Sequence, residues 1–194
     1  MTVLAAITNG TDTWVAADLA ASNHHDLPYR GRELAVQGEW GIGAAGEPWA
    51  IELALDGIES DVWSQANPRV FMRAWWRVLR HAGWSVNHSC DGSAPGFNIH
   101  GVLARAGRLW AFHDDGFPHE IELGRLVARG SGDDVALGYG WAVSQIKPGM
   151  RSFDLVANAV RAACALKPSC GVGVDLLHMG RGSTPSVRRL DGDC

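Results

Sequence analysis

The segment from Thr2 to Asp18 constrains the fold of this chain more than any other part of its sequence. An apolar run at residues 2–8 is followed by Asn9-Gly10 and then by a second apolar run at residues 13–17, which ends on Asp18. Asn-Gly between two β-rich runs is a strong signal for a β-hairpin. We therefore expect Thr2 to begin one strand and the Asp18 carboxylate to lie at the far end of its neighbour.

Position 2 also indicates a chemistry. If Met1 is removed, Thr2 carries a hydroxyl nucleophile and a free α-amine on the same residue, so that it brings its own base. Such an amine titrates at about 7.7–8.0, and a useful fraction of it is unprotonated near neutral pH. Aminopeptidases generally remove a methionine that precedes a residue as small as threonine. With Met1 attached, Thr2 has no free amine and no base of its own.

Composition places the chain among ordinary globular proteins. Its 194 residues fit one domain with a real core, and 46% of them are hydrophobic and 20% charged. The net charge of −4 gives no reason to expect a nucleic-acid partner. No segment approaches the ~20 apolar residues of a membrane helix. The N-terminal run has no basic leader and the four cysteines have no CxxC spacing, which predicts a cytosolic, reducing location.

The remaining pattern predicts further strands and three helices. Strands are predicted at 34–36, 40–44, 97–104, 108–113 and 173–178. Helices are predicted at 68–82, from Asp133, and at 152–166, the first with Asn67 as its cap and Pro68 at its first position. Two packed sheets with helices outside would cover every apolar sheet face. We therefore expect an α+β domain, a four-layer αββα sandwich at residues 1–179, followed by a polar tail at 180–194 that is mobile or an interface arm.

Several segments carry a family resemblance. They are the hairpin from Thr2 to Asp18, the small-residue strand and turn at 39–46, residues 97–115, Gly130-Ser131-Gly132, and Ser169-Cys170-Gly171 before the last strand. Their order and spacing resemble proteasome β-subunits and HslV-type proteins, which are N-terminal-nucleophile (Ntn) hydrolases. The resemblance implies an αββα fold, a threonine endopeptidase site and a ring or stacked ring of identical subunits. The chain also looks similar to HslV-like products encoded by viruses of GC-rich actinobacteria, which implies a virion or head–tail component as another role.

The resemblance also implies which residues form the site. In the family, a lysine at the start of the third strand lowers the pKa of the nucleophile's amine, and an aspartate at the end of the second strand holds that lysine. A serine in a Gly-Ser-Gly turn, with an Asp and a Ser before the last strand, completes the network. Thr2, Asp18 and Ser131 match this pattern, whereas Glu33 stands at the lysine position and Lys167 at the later Asp position. Cys170 stands where the last Ser is expected.

The exchange of lysine for Glu33 has a large electrostatic consequence. A carboxylate there favours the protonated amine and lies beside the like charge of Asp18. Arg32, one residue earlier, supplies positive charge, but a guanidinium is essentially never deprotonated. Lys167 could occupy the vacant ammonium position from another strand, or it could pair with Glu33 as a structural salt bridge. The sequence leaves both arrangements open.

Other clusters of polar residues favour structural roles. His100, His113, Asp114, Asp115 and His119 invite a metal hypothesis, but their spacing matches no known zinc pattern, which favours surface or loop histidines. We accordingly expect no metal and no cofactor.

Two more motifs have a catalytic or binding interpretation beside a structural one. Cys170 with His178 could form a thiol–imidazole pair, although no orienting group accompanies them and an inert buried cysteine is favoured. Gly130-Ser131-Gly132 lacks the lysine of a phosphate-binding loop and predicts a tight strand-to-helix turn. The helix at 68–82, with Trp75 and four arginines, is expected to bury its aromatic face, with a subunit interface as the alternative.

Two functional hypotheses follow. The first is a catalytically degenerate proteasome/HslV-like subunit that self-assembles in a structural or assembly role, in the cytoplasm or in a virion. The second is an active threonine peptidase, in which Thr2 attacks a peptide carbonyl and backbone N–H groups near Gly46 form the oxyanion hole. Neither needs a nucleic acid or a membrane.

Overall fold

The computed structural model describes residues 2–19, 33–46, 50–83, 99–113, 115–167, 170–171 and 173–190. It contains five helices and ten strands within these ranges. The helices are α1 (Ala50–Gly57), α2 (Ser60–Ser64), α3 (Pro68–His81), α4 (Asp133–Ile146) and α5 (Ser152–Leu166). The strands are β1 (Val3–Thr8), β2 (Asp12–Asp18), β3 (Leu34–Gln37), β4 (Trp40–Gly46), β5 (Ile99–Arg105), β6 (Arg108–Phe112), β7 (His119–Glu120), β8 (Val127–Gly130), β9 (Val174–Gly180) and β10 (Ser186–Leu190).

The strands form two five-stranded antiparallel sheets. The first has the order β10-β9-β2-β1-β8 and the second the order β3-β4-β5-β6-β7. Helices α4 and α5 pack on the outer face of the first sheet, and α1 and α3 pack outside the second. This arrangement confirms the predicted αββα sandwich. No described helix has the length and apolar character that crossing a bilayer requires.

Strand β1 is buried on both of its faces, which explains its unbroken apolar sequence. Val3, Ala5 and Ile7 point to the helical layer of α4 and α5, where they join one apolar cluster. Leu4 and Ala6 point the other way and pack between the two sheets. Successive strand residues face opposite sides, so a strand covered on both sides needs apolar residues at every position.

The N-terminal hairpin has the predicted turn. Strands β1 and β2 pair from Leu4 opposite Ala17 to Thr8 opposite Thr13. The Asn9 side-chain oxygen accepts hydrogen bonds from the backbone N–H groups of Thr11 at 2.9 Å and Asp12 at 2.8 Å. Gly10 has φ of 91°, which glycine adopts without strain. The turn therefore brings Asp18 back beside the start of β1.

Helix α3 begins and buries its apolar face largely as the sequence predicts. The Asn67 side chain accepts a hydrogen bond from the Arg69 backbone N–H at 3.0 Å, and Pro68 occupies the first helical position. Phe71, Trp75 and Leu79 are buried. Its four arginines are exposed, and the helix ends at His81, one residue before its predicted end.

Two short helices, α1 and α2, were missed by the sequence analysis. Helix α2 has five residues, and Glu59 at its N-cap makes no side-chain capping hydrogen bond, so the local signals are weak. Both helices are held by indole hydrogen bonds. The Trp75 indole N–H donates to the Ala50 carbonyl at 2.8 Å, and the Trp63 indole N–H donates to the Ile58 carbonyl at 3.1 Å.

The segment from Gly180, predicted as a mobile or arm-like tail, contains a paired strand. Strand β9 continues to Gly180, and β10 pairs antiparallel with it from Ser186 opposite His178 to Leu190 opposite Val174. Strand β10 is at the edge of its sheet and is largely exposed. Its polar, arginine-containing sequence suits an edge strand, because charged side chains there discourage pairing with other chains.

The core over the second sheet gives a direct test of the packing. Replacing Leu79 with Ala on α3, where the side chain is 2% exposed, should lower the free energy of unfolding by about 2–5 kcal/mol because it leaves a cavity. The matched change Leu123→Ala, at a side chain 67% exposed, should alter it by less than about 0.5 kcal/mol. Urea denaturation followed by circular dichroism measures both. Equal losses in the two variants would contradict the assigned core.

Candidate active site

Five segments meet at one end of the sandwich. They are the start of β1, the end of β2, the residue before β3, the turn after β8 and the loop before β9. Antiparallel pairing explains the meeting, since the start of β1 must lie beside the ends of β2 and β8, and the start of β9 beside the end of β2. The structure thereby brings together Thr2, Asp18 and Ser131, with Glu33 among them.

Thr2 is almost fully buried and held by its backbone and its side chain. Its hydroxyl Oγ1 donates a hydrogen bond to Glu33 Oε1 at 2.7 Å. Its carbonyl oxygen accepts from the Ser131 backbone N–H at 2.9 Å. Only 5% of the residue is exposed. The hydroxyl is therefore directed to a carboxyl group rather than to an ammonium group.

Asp18 is completely buried and accepts two backbone hydrogen bonds. Its Oδ1 accepts from the Val3 N–H at 2.9 Å, and its Oδ2 accepts from the Gly171 N–H at 2.6 Å. Burial raises the pKa of Asp18 to about 6, and these two donors limit the rise. The side chain thus joins the first residues of β1 to the loop before β9.

Glu33 has the more strongly shifted carboxyl group. Burial raises its pKa to about 7, the hydrogen bond from Thr2 opposes that rise, and the nearby negative charge of Asp18 adds to it. A substantial fraction of Glu33 is consequently protonated at neutral pH. The site therefore contains two carboxyl groups that disfavour each other's ionisation.

The cationic side chains nearest in sequence to these segments bind elsewhere. Lys167 Nζ donates to Asp134 Oδ2 on α4 at 2.9 Å, so the expected pairing of Lys167 with Glu33, or its substitution for the family lysine, is wrong. Arg129 Nη1 donates to the Ala128 carbonyl at 2.8 Å. Among the residues that the structure describes, no lysine or arginine side chain hydrogen-bonds to Thr2, Asp18 or Glu33. Arg32 lies outside the described residues.

The turn at Gly130-Ser131-Gly132 leads directly into α4, as the sequence predicts for a strand-to-helix turn. Gly130 has φ of 101°, and a Cβ atom there would lie 2.0 Å from the Thr2 carbonyl oxygen. A Cβ atom on Gly132 would lie 2.9 Å from Ala163 Cβ and 3.0 Å from Cys170 Sγ. The turn therefore packs closely between Thr2 and the loop before β9, which only glycine permits.

The described residues of the proposed metal site do not form a set of metal ligands. The His100 and His113 rings lie 5.7 Å apart in an edge-to-face arrangement, and Asp114 is outside the described residues. Across the described ranges, no three His, Cys, Asp or Glu side chains are grouped so that they could hold a metal ion.

The predicted Cys170–His178 pair is not formed, and the predicted oxyanion hole lies partly outside the described residues. His178 Nε2 is 2.8 Å from Asp12 Oδ1 at the opposite end of β9 from Cys170, so the thiol–imidazole pair is not formed. Gly46 ends β4 with φ of 113°, and residues 47–49, which would continue the expected oxyanion hole, lie outside the described residues.

Sequence reasoning missed two features of the site. It aligned Glu33 with a lysine but did not predict that Thr2 would donate to it, because the two residues are 31 positions apart and no local pattern joins them. It assigned Asp18 to hold a cation, whereas the carboxyl accepts two backbone N–H groups. The apolar surroundings of Asp18 in the sequence were the available signal, since a buried carboxyl needs hydrogen-bond donors.

Comparisons with known proteins agree with this geometry at the level of fold. No family model matches the chain, and no curated protein matches it as a relative. BPH of Thiobacillus denitrificans matches with a TM-score of 0.70 and 16% identity, over 95% of this chain and 100% of that chain. HslV of Trypanosoma brucei matches with a TM-score of 0.65 and 16% identity, over 93% and 99%.

A third similar structure is a Gly-1 mutant of Anbu from Hyphomicrobium sp. strain MC1. It matches with a TM-score of 0.70 and 16% identity, over 100% of this chain and 88% of that chain. Coverage of nearly the whole chain in each comparison shows that the likeness extends to the complete sandwich. The chain has the Ntn-hydrolase fold of HslV and its relatives.

Proposed function

We propose that this protein is a catalytically degenerate subunit of the proteasome/HslV type, which uses its fold for self-assembly in a structural or assembly role. The observation that carries the proposal is the hydrogen bond of 2.7 Å from Thr2 Oγ1 to Glu33 Oε1, at the position that the resemblance assigns to a lysine. Its partners are further copies of the same chain. The resemblance to ring-forming proteins supports this assembly, with the cytoplasm, or a virion if the chain is virus-encoded, as its location.

Electrostatics at the site oppose activation of Thr2. An N-terminal nucleophile acts when its amine is unprotonated, and a nearby ammonium favours that state. Here the neighbours are the buried carboxyl group of Asp18 and the partly buried one of Glu33, and each negative charge would favour the protonated amine instead. Negative charge also opposes the build-up of negative charge on the attacking oxygen. The site as built therefore opposes the attack of Thr2 on a peptide.

An active threonine peptidase is the second candidate. The convergence of Thr2, Asp18 and Ser131 at one end of the sandwich supports it. In that mechanism Met1 is removed, Glu33 accepts the proton of the Thr2 hydroxyl, and Thr2 Oγ1 attacks the peptide carbonyl to form an acyl-enzyme. Glu33 then gives this proton to the leaving amine, and water hydrolyses the ester.

Labelling with epoxomicin distinguishes the two candidates. The compound has been observed in complex with BPH of Thiobacillus denitrificans, and is therefore a suitable probe for this fold. We expect the intact mass of the wild-type protein to be unchanged after incubation with epoxomicin, since the site lacks the ammonium group. Thr2→Ala serves as the control for labelling elsewhere. An adduct on a wild-type chain that begins at Thr2, lost in Thr2→Ala, would establish the peptidase.

The raised pKa of Glu33 predicts how stability depends on pH. Because its pKa is about 7 in the folded protein against 4.5 ordinarily, the folded state binds more protons than the unfolded state between about pH 4 and 7. The contribution of Glu33 to the free energy of unfolding therefore falls as pH rises through this window. Glu33→Gln should be more stable than wild type at pH 8, by about 1 kcal/mol or more, with the difference shrinking towards pH 4.

Urea denaturation at a series of pH values measures this difference. Glu122→Gln, at an exposed glutamate, is the matched control and should change the free energy of unfolding little at any pH. A stability difference for Glu33→Gln that is constant with pH, or that grows towards acid, would show that Glu33 is not a buried, protonated carboxyl.

A further inference from the structure

A cavity of about 460 Å³ lies at the end of the sandwich that is opposite the candidate active site. The β3–β4, β5–β6 and β9–β10 turns surround it. Strands β3 and β9 begin beside Thr2 and Asp18, so the turns at their other ends lie far from that site. The volume is typical of a small-molecule binding site, and the cavity is a separate feature of the molecule.

Three arginines line this cavity. Arg105 and Arg108 flank the β5–β6 turn, and Arg181 lies in the β9–β10 turn. Among the described residues that line the cavity, Glu39 alone is acidic. The lining therefore carries three positive charges against one negative charge, which favours an anionic ligand.

Strand pairing brings two of these positive charges together. Arg105 and Arg108 are directly opposite each other in the register of β5 and β6. Like charges at such positions destabilise a sheet. Burial lowers the pKa of Arg105, and the positive charge of Arg108 lowers it further. An anion bound to both guanidinium groups would relieve this repulsion.

Both guanidinium groups retain the capacity to bind such an anion. Arg108 donates from Nε and Nη2 to the Glu120 carboxylate at 2.9 and 3.1 Å, and its Nη1 makes no hydrogen bond within the part of the chain that the structure describes. Arg105 is paired with Glu39, whose side chain is 67% exposed. Because an exposed ion pair is weak, a ligand anion can compete with Glu39 for Arg105.

Two tryptophan rings hold these guanidinium groups in place. Arg105 Cζ lies 5.2 Å from the centroid of the Trp40 ring, and Arg108 Cζ lies 4.7 Å from that of the Trp110 ring. Both tryptophans are buried in the core over the second sheet. A guanidinium group that is fixed before binding loses less conformational entropy when a ligand arrives.

Arg181 is the cation of this cavity that has no partner among the described residues. It is exposed, and its side chain makes no hydrogen bond or ion pair with them. The turn around it is closed, because the Ser183 backbone N–H and hydroxyl both donate to the Gly180 carbonyl, at 3.3 and 3.1 Å. The turn therefore keeps Arg181 at the cavity, where it is available to a ligand.

We propose that this cavity binds the phosphate group of a small phosphate ester, with Arg105, Arg108 and Arg181 as its donors. Phosphate matches the forked N–H groups of arginine, and its three terminal oxygens suit three arginines better than the two oxygens of a carboxylate do. An apolar wall for the carbon part of the ester is formed by Ala66, Ala106, Met179 and Pro185. This site does not depend on Thr2, and it goes beyond the proposed function.

Isothermal titration calorimetry with glycerol 3-phosphate and with inorganic phosphate tests the site. The wild-type protein should bind one equivalent of glycerol 3-phosphate, and should bind inorganic phosphate more weakly because that ion leaves the apolar wall unused. Arg181→Gln should raise the Kd about tenfold, since a charge-assisted hydrogen bond is lost. Arg125→Gln, at an exposed arginine outside the cavity, is the matched control and should leave the Kd unchanged.

A second variant and a competing anion make the test independent of any one substitution. Arg108→Gln should also weaken binding, and circular dichroism checks that each variant is folded. Acetate at the same concentration should not displace glycerol 3-phosphate, because a carboxylate engages fewer of the arginines. Displacement by acetate would overturn the assignment to phosphate, and tighter binding of inorganic phosphate would overturn the assignment to an ester.

Two further results would overturn the site itself. One is the absence of a heat of binding for either ligand at millimolar concentration. The other is a Kd that is unchanged in both Arg181→Gln and Arg108→Gln, or that rises equally in Arg125→Gln, since the anion would then bind elsewhere on the protein.

Discussion

The buried carboxyl of Asp18 holds together the end of the sandwich on which the site depends. A carboxyl group without solvent is costly unless its oxygens accept hydrogen bonds, and both of them do here. The donors are the backbone N–H groups of Val3 and Gly171, which belong to segments far apart in sequence. The bond from Val3 also fixes the backbone next to Thr2. The same interaction therefore supports both the fold and the geometry of the site.

This dependence explains how the fold tolerates Glu33 at a position where its resemblance implies a lysine. If Asp18 needed a cationic partner, a carboxyl group in place of that cation would be strongly destabilising. Because backbone donors satisfy Asp18, the exchange leaves only a local repulsion, which is relieved when one carboxyl keeps its proton. The sandwich therefore persists with a carboxyl group at this position.

The parts of the fold that the sequence predicted are those whose signals are local or continuous. The hairpin followed from Asn9-Gly10 and two apolar runs, and α3 followed from Asn67, Pro68 and an apolar face. The parts that were missed depend on side-chain hydrogen bonds and strand pairing that no local pattern in the sequence announces. Helices α1 and α2 are stabilised by indole hydrogen bonds from Trp75 and Trp63, and β10 is ordered by pairing with β9 despite its polar sequence.

The same distinction applies to the site. The meeting of Thr2, Asp18 and Ser131 follows from strand order, which a correct topology supplies. The partner of Lys167 does not follow from it, because Asp134 and Glu33 were equally available opposite charges until the packing of α4 against α5 decided between them. Partners of long, charged side chains are set by the last few ångströms of packing, which no spacing rule in the sequence records.

Gly130 has a consequence for how chains of this fold are interpreted. Its left-handed backbone and its contact with the Thr2 carbonyl exclude any side chain on steric grounds alone. That requirement would hold in a protein that never cleaves a peptide. The glycines of a Gly-Ser-Gly motif are therefore explained by backbone geometry alone. Their presence in a sequence is expected in active and inactive proteins of this fold alike.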